Sequence, residues 1–153
     1  MCFHWDTMAY AGIYDVVPME YGYNKPTGII PVYPVVSGII EDAHMGSFYN
    51  LLGSENPDTE SLTRCSLETH VDEKSSPACI FHTSTDQLVP CENALVLADA
   101  YRKAGHKFEL HIFYDAPHGI ALGNDITSLG CQVFDQPSLA SWIDQSILWM
   151  KQV

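Results

Sequence analysis

Two polar residues follow apolar runs in positions that suit acid–base chemistry. Asp86 comes shortly after the run Ala78–Thr83, and His118 comes shortly after the alternating run 108–114. Both runs are predicted to be parallel strands, and the carboxyl ends of parallel strands lie at one edge of a sheet. In this chain order, the two residues are typical of the acid and the base of a serine–aspartate–histidine triad.

The nucleophile of such a triad is missing from the 153 residues. The serine would lie in a G-x-S-x-G turn between a strand and a helix. Ser37 and Ser47 each adjoin one glycine, but neither has the pair of glycines that the motif requires. Because an acid and a base without a nucleophile cannot carry out covalent acyl transfer, we expect these residues alone to be inactive.

The composition predicts one globular domain and argues against nucleic acid and membrane partners. The chain has 153 residues, 46% of them hydrophobic and 17% charged, which suits a single folded unit. Seven Lys and Arg residues against nineteen Asp and Glu residues give a net charge of −12, which repels phosphate groups. No apolar stretch is long enough to span a bilayer.

The cysteines and histidines show no spacing typical of a metal site. The five cysteines lie at positions 2, 65, 79, 91 and 131 without a C-x-x-C pair, so neither a zinc ribbon nor a disulfide framework is predicted. His70, His82 and His111 fall on different predicted elements, and we expect structural or surface roles for them. Reduced thiols and an N-terminus without the features of a signal peptide predict a cytoplasmic protein that holds no metal.

The order of the segments predicts one partial α/β domain over residues 1–153. Residues 1–27 have no clear period and are predicted to be irregular, whereas residues 28–153 contain the core. Three parallel strands are expected at 28–36, Ala78–Thr83 and 108–114. Pro31 weakens the first of them because proline has no amide hydrogen to donate. Helices are expected at Met45–Leu52, at about 90–104 and from Pro137 onwards.

The two longer helices each have an apolar face that should pack on the sheet. In the first helix the face consists of Ala94, Leu97, Ala98 and Tyr101. In the second it consists of Leu139, Trp142, Ile143, Trp149 and Met150.

The chain resembles the alpha/beta hydrolases, most of all their small acetyl esterases and xylan esterases and the hydrolase core of prolyl oligopeptidases. The segments that carry the resemblance are residues 43–53, 82–93 and 108–119. It implies a partial alpha/beta-hydrolase fold, with three parallel strands and flanking helices. It also implies that His118 is the general base, that Asp86 orients the imidazole, and that no cofactor is needed. The strand that bears the nucleophile would lie beside residues 29–36.

Three functions are compatible with this resemblance. We favour a carboxylic ester hydrolase for short acyl esters, with acetylated saccharides among its small-molecule substrates. The alternatives are a non-catalytic remnant or interaction fragment, and the end of a prolyl-oligopeptidase-type serine peptidase. An unpaired edge at residues 29–36 would also favour self-association.

Two further residues are candidates for a functional role. His44 is expected either near the acyl group or in loop packing. Cys91 begins a helix, where a thiol can become acidic, but we expect a small buried residue because no base is placed to use it.

Overall fold

The computed structural model describes residues 26–128, 130 and 137–153, so nearly all of the segment predicted to be irregular, 1–27, lies outside the described residues. Two regular strands are present, β1 (Ala78–Thr83) and β2 (Phe108–Phe113). The helices are α1 (Met45–Leu52), α2 (Thr59–Cys65), α3 (Glu92–Lys103), α4 (Asp125–Ser128) and α5 (Pro137–Met150), with a short 3-10 helix at Leu67–His70.

The strands β1 and β2 are parallel, and α3 connects them. Their register pairs Ala78 with Phe108 and, at the other end, Thr83 with Phe113. Every residue of β1 is buried, whereas β2 is only partly covered. The predicted parallel α/β arrangement is therefore confirmed.

The predicted first strand is present as a shorter segment, residues 29–33, which we call the bridge segment. It runs parallel to β1 but forms only isolated bridges, Ile29 with Ala78 and Val32 with Phe81. Pro31 interrupts the ladder, because the position that should donate to β1 between these bridges has no amide hydrogen. Tyr33 then leaves the extended conformation, with a φ of 41°. The described residues thus contain two regular strands where three were expected.

The core lies on both sides of β1, because successive residues of a strand point to opposite faces of the sheet. Ile80 packs with Leu97 of α3 on one face. Phe81 packs with Trp149 of α5 on the other face. The apolar face predicted for α3 is confirmed, since all four of its residues are buried. In α5 the predicted apolar face was wrong at Met150, which is 52% exposed and does not pack on the sheet.

Asn93 of α3 anchors the start of residues 34–77, the segment between the bridge segment and β1. Its side-chain oxygen accepts hydrogen bonds from the amides of Val36 at 2.9 Å and Ser37 at 3.1 Å. These bonds hold Val36 and Ser37, which follow the bridge segment, near the start of α3. The loop that follows β1 leads into the same end of α3. Among the described residues, no helix has the length and apolar character needed to cross a membrane.

Candidate active site

The structure brings Asp86 and His118 into direct contact beyond the carboxyl ends of β1 and β2. The distance from Asp86 Oδ2 to His118 Nδ1 is 2.7 Å. The carboxylate side chain is 0% exposed, and the imidazole is 26% exposed. One ring nitrogen therefore faces a buried acceptor, while part of the ring remains open to the surface.

Backbone amides hold the Asp86 carboxylate in place. Its Oδ1 atom accepts hydrogen bonds from the amides of Leu88 and Val89, both at 2.9 Å. This turn is formed locally, since an aspartate can bond to amides two and three residues further along the chain. Oδ2 is left to accept from His118, so the neutral imidazole carries its proton on Nδ1 and keeps a lone pair on Nε2.

Tyr33 is a neighbour of His118 that we did not predict from the sequence. The two rings meet edge to face, with centroids 4.8 Å apart and planes at 65°. The left-handed backbone of Tyr33 turns its side chain at the end of the bridge segment, and Gly119, with φ 78°, follows His118. A signal was available, because Tyr33 comes directly before Pro34, a residue at which a strand can end.

Three consecutive hydroxyl side chains, residues 83–85, join the end of β1 to the segment that follows β2. Thr83 donates to the carbonyl of Ala116 at 2.8 Å. Thr85 donates to the carboxylate of Asp115 at 2.5 Å and accepts from the amide of Ala116 at 3.1 Å. We call these three residues the hydroxyl clamp. It fixes the loop that carries His118 relative to the loop that carries Asp86.

Replacing Thr85 should loosen this connection. We expect Thr85→Val to lower the free energy of unfolding by about 0.5–1.5 kcal/mol, because the partly buried amide of Ala116 loses its acceptor and Asp115 loses a donor. Urea denaturation measures this change. The matched control is Thr63→Val, whose hydroxyl bonds to the carbonyl of Thr59 within an exposed helical turn. The control should change stability by less than about 0.5 kcal/mol, and equal losses in the two variants would contradict the role of the clamp.

His82 is a second histidine near the pair, buried in β1 with 1% exposure. Its Nδ1 lies 2.9 Å from the amide nitrogen and 3.1 Å from the carbonyl oxygen of Thr83, so this nitrogen has a backbone hydrogen-bond partner in either neutral tautomer. Nε2 is buried and has no hydrogen-bond partner within the described part of the chain. Burial lowers the pKa of His82. The expectation of a structural role agrees with this placement, although only one of the two nitrogens is satisfied.

The lowered pKa of His82 predicts a pH dependence of stability. Below about pH 6.5 the unfolded chain takes up a proton at this position that the folded chain does not. The free energy of unfolding should therefore fall as the pH decreases from about 6.5 towards the lowered pKa. His82→Phe should remove up to about 1.4 kcal/mol per pH unit of this dependence.

Urea denaturation of both proteins across this pH range tests the prediction. Burial raises the pKa of Glu68, but that carboxyl is present in both proteins and drops out of the difference. His70→Phe is the control, since its imidazole bonds to the carbonyl of Arg64 at the surface. The same pH dependence in the parent chain and in His82→Phe would contradict the assignment.

The other two candidate residues, His44 and Cys91, do not contact Asp86 or His118 through a hydrogen bond among the described residues. His44 Nδ1 lies 2.9 Å from Ser47 Oγ at the start of α1. Burial, and then the charge of Glu92, raise the pKa of Cys91, so this thiol is not activated by its position before α3. His44 therefore has a loop-packing contact, and Cys91 has the properties of a packing residue.

An open groove of about 560 Å³ lies beside His118. The residues that line it are Thr85, Gln87, Leu88, Asp115, Ala116, Pro117 and His118. Chemically, His118 Nε2 can accept a proton from a hydroxyl group presented at this surface. The described residues thus provide an oriented base beside a space large enough for a small organic group.

Solved hydrolases share this arrangement of strands and helices. The structure aligns with a sugar hydrolase from Lactococcus lactis at 25% identity and a TM-score of 0.73, over 97% of this chain and 55% of that chain. A carboxylesterase from Lactobacillus plantarum gives a TM-score of 0.72 at 19% identity, over 98% of this chain and 53% of that chain. The chain therefore has part of an alpha/beta-hydrolase fold.

Sequence similarity identifies the family. Residues 27–132 match the prolyl oligopeptidase family, and the chain belongs to that family. It is 40% identical to an acetyl ester-xyloside bifunctional hydrolase from Caldicellulosiruptor lactoaceticus, with a TM-score of 0.64, over 81% of this chain and 43% of that chain. It is 37% identical over 101 residues to endo-1,4-beta-xylanase B from Butyrivibrio fibrisolvens, which is 66% of this chain and 16% of that protein. The chain spans less than half of the length of these two relatives.

Proposed function

We propose that this chain supplies the acid and the base of a serine-type carboxylic ester hydrolase that acts on short acyl esters, with acetylated saccharides as the first substrates to test. The observation that carries this proposal is the 2.7 Å contact between His118 Nδ1 and the buried Asp86 Oδ2. A carboxylate fixed by two amides favours one tautomer of the imidazole, and that tautomer has its free lone pair on Nε2.

In the proposed reaction His118 accepts one proton and then returns it in each of the two half-reactions. Nε2 takes the proton of a serine hydroxyl as the serine oxygen attacks the acyl carbon, and it returns the proton to the leaving alcohol. Water then gives a proton to Nε2 as its oxygen attacks the acyl carbon, and Nε2 returns that proton to the serine oxygen as the bond between the acyl carbon and that oxygen breaks and the acid leaves. Asp86 stabilises the imidazolium formed in each half. All groups are those of the protein and water, so no cofactor takes part.

The serine would come from polypeptide outside these 153 residues, paired with the open side of the bridge segment. The amide of Ile29 donates to the carbonyl of Pro77, directly before β1, at 2.9 Å, and the amide of Tyr33 donates to Phe81 of β1 at 2.7 Å. Because backbone groups alternate along a strand, those of Ile30 and Val32 point away from β1. Within the described residues these outward groups have no backbone hydrogen bond. A strand added there would end close to Tyr33, which contacts His118.

The substrate class is supported by the relatives and by the groove. The 40% identical protein is named as an acetyl ester-xyloside hydrolase, and that name refers to its own activity. The groove beside His118 has a volume of about 560 Å³, which is in the range of small-molecule sites. The name of the relative is therefore the point that favours short esters over peptides.

A chimera tests the proposal. Residues 27–132 of this chain would replace the matching segment of the Caldicellulosiruptor hydrolase, whose remaining segments would complete the fold. We expect the chimera to hydrolyse an activated acetyl ester and an acetylated xylo-oligosaccharide. A folded chimera that is inactive under conditions where the parent hydrolase is active would favour a non-catalytic remnant. Cleavage of a proline-containing peptide in place of the ester would favour the peptidase.

A further inference from the structure

A second cluster of ionisable side chains lies on β1 and β2 before their carboxyl ends, away from Asp86 and His118. It consists of Cys79 on β1 with Glu109 and His111 on β2, and their ligand atoms all lie within 4.8 Å of one another. Thr83, at the carboxyl end of β1, is four positions beyond Cys79, or roughly 13 Å along the strand. The cluster is therefore distinct from the site that carries the proposed ester hydrolysis, and nothing in that reaction uses it.

The strand register is what brings the three side chains together. Cys79 is paired with Glu109 across the two parallel strands. His111 is two residues further along β2, so its side chain lies on the same face as that of Glu109. Two ligands at alternate positions of one strand and a third from the facing position of the next strand can converge on one point above the sheet. The sequence did not indicate this group, because 30 residues separate Cys79 from Glu109.

One side chain of the cluster is buried, and the other two are partly exposed. Cys79 is fully buried. The side chains of Glu109 and His111 are 41% and 26% exposed, and His111 Nε2 lies 2.6 Å from Glu109 Oε1. The His111 ring stacks on Phe81, with centroids 4.8 Å apart and planes at 7°. The imidazole is thus held in a fixed orientation, while an ion could enter between the two exposed side chains.

We propose that Cys79, Glu109 and His111 form a binding site for a thiophilic divalent cation of the zinc class. Thiolate, imidazole and carboxylate are the ligands that zinc takes in proteins, and three protein ligands leave a fourth position for water. Binding would break the S–H bond of Cys79, release that proton to solvent and form a metal–sulfur bond. The ion would also replace the direct contact between Glu109 and His111. It would link β1 to β2 and so stabilise the partly covered strand.

Cobalt(II) is the probe for this site, because its bond to a thiolate produces an absorption band that oxygen and nitrogen ligands do not. The full chain, reduced and freed of metal with a chelator, is titrated with cobalt(II) alone. We expect one equivalent to bind with this band, and zinc(II) to displace it. Cys79→Ser should abolish the band. The matched control Cys91→Ser removes another thiol of the chain and should retain the band in full.

Two further variants keep the test decisive if Cys79→Ser does not fold. Glu109→Gln and His111→Gln alter partly exposed positions, and each should weaken cobalt(II) binding by at least about 10-fold. The absence of a thiolate band in the parent chain would overturn the proposal. So would a band that survives in Cys79→Ser or disappears in Cys91→Ser, or an unchanged affinity in both strand β2 variants.

Discussion

Replacing His118 by alanine in the active chimera should lower kcat/KM for acetyl esters by about 10⁴-fold or more. The reason is that, among the described residues, His118 is the one side chain hydrogen-bonded to Asp86, and the proposed reaction needs its Nε2 to take the proton of the attacking serine. Initial rates with an activated acetyl ester give the ratio directly. His70→Ala is the control, because His70 contacts the carbonyl of Arg64 on the surface, and it should change the rate by less than about twofold.

Asp86→Asn should cause a loss of similar size, about 10⁴-fold, with little change in structure. An asparagine oxygen can still accept from the amides of Leu88 and Val89, so the turn is kept. The group facing His118 then becomes an amide donor, which holds the wrong tautomer of the imidazole. The double variant should be little worse than either single one, because the two residues act together. If either single variant kept more than about a tenth of the activity, the triad assignment would be wrong.

The parent chain should self-associate, and Val32→Pro should raise the dissociation constant by about 5- to 30-fold. The open side of the bridge segment offers unpaired backbone groups to a second copy, as exposed strand edges do. Proline at position 32 removes an outward amide but none of the hydrogen bonds to β1, which use Ile29 and Tyr33. One or two lost hydrogen bonds of about 1 kcal/mol each give the stated range.

Sedimentation velocity over a range of protein concentrations measures this association. Val32→Thr is the matched control, since it keeps both the outward amide and a β-branched side chain, and it should associate like the parent chain. A parent chain that sediments as a single monomer and unfolds cooperatively at all concentrations would show that this edge does not drive association. Association that Val32→Pro leaves unchanged would locate the contact elsewhere.

Local patterns in the sequence were sufficient for most of the architecture. Alternation and apolar runs predicted β1, β2 and the buried face of α3, because a strand and a helix each bury side chains at a regular spacing. The interruption of the bridge segment was also foreseeable at Pro31, since a missing amide hydrogen is a property of the residue itself. Its conformation at Tyr33 was not, because a left-handed backbone at a tyrosine depends on the contacts around it.

The residue order was sufficient to place Asp86 and His118 after neighbouring parallel strands, to relate the order of acid and base to that of an alpha/beta hydrolase, and to show that the 153 residues contain no G-x-S-x-G motif. Which atoms meet became known from the folded structure. The contact of Tyr33 with His118, the bonds of the hydroxyl clamp and the convergence of Cys79, Glu109 and His111 all join residues about 30 or more positions apart. Such contacts depend on the register of the parallel strands and on the paths of the loops, which a periodic pattern along one segment does not specify.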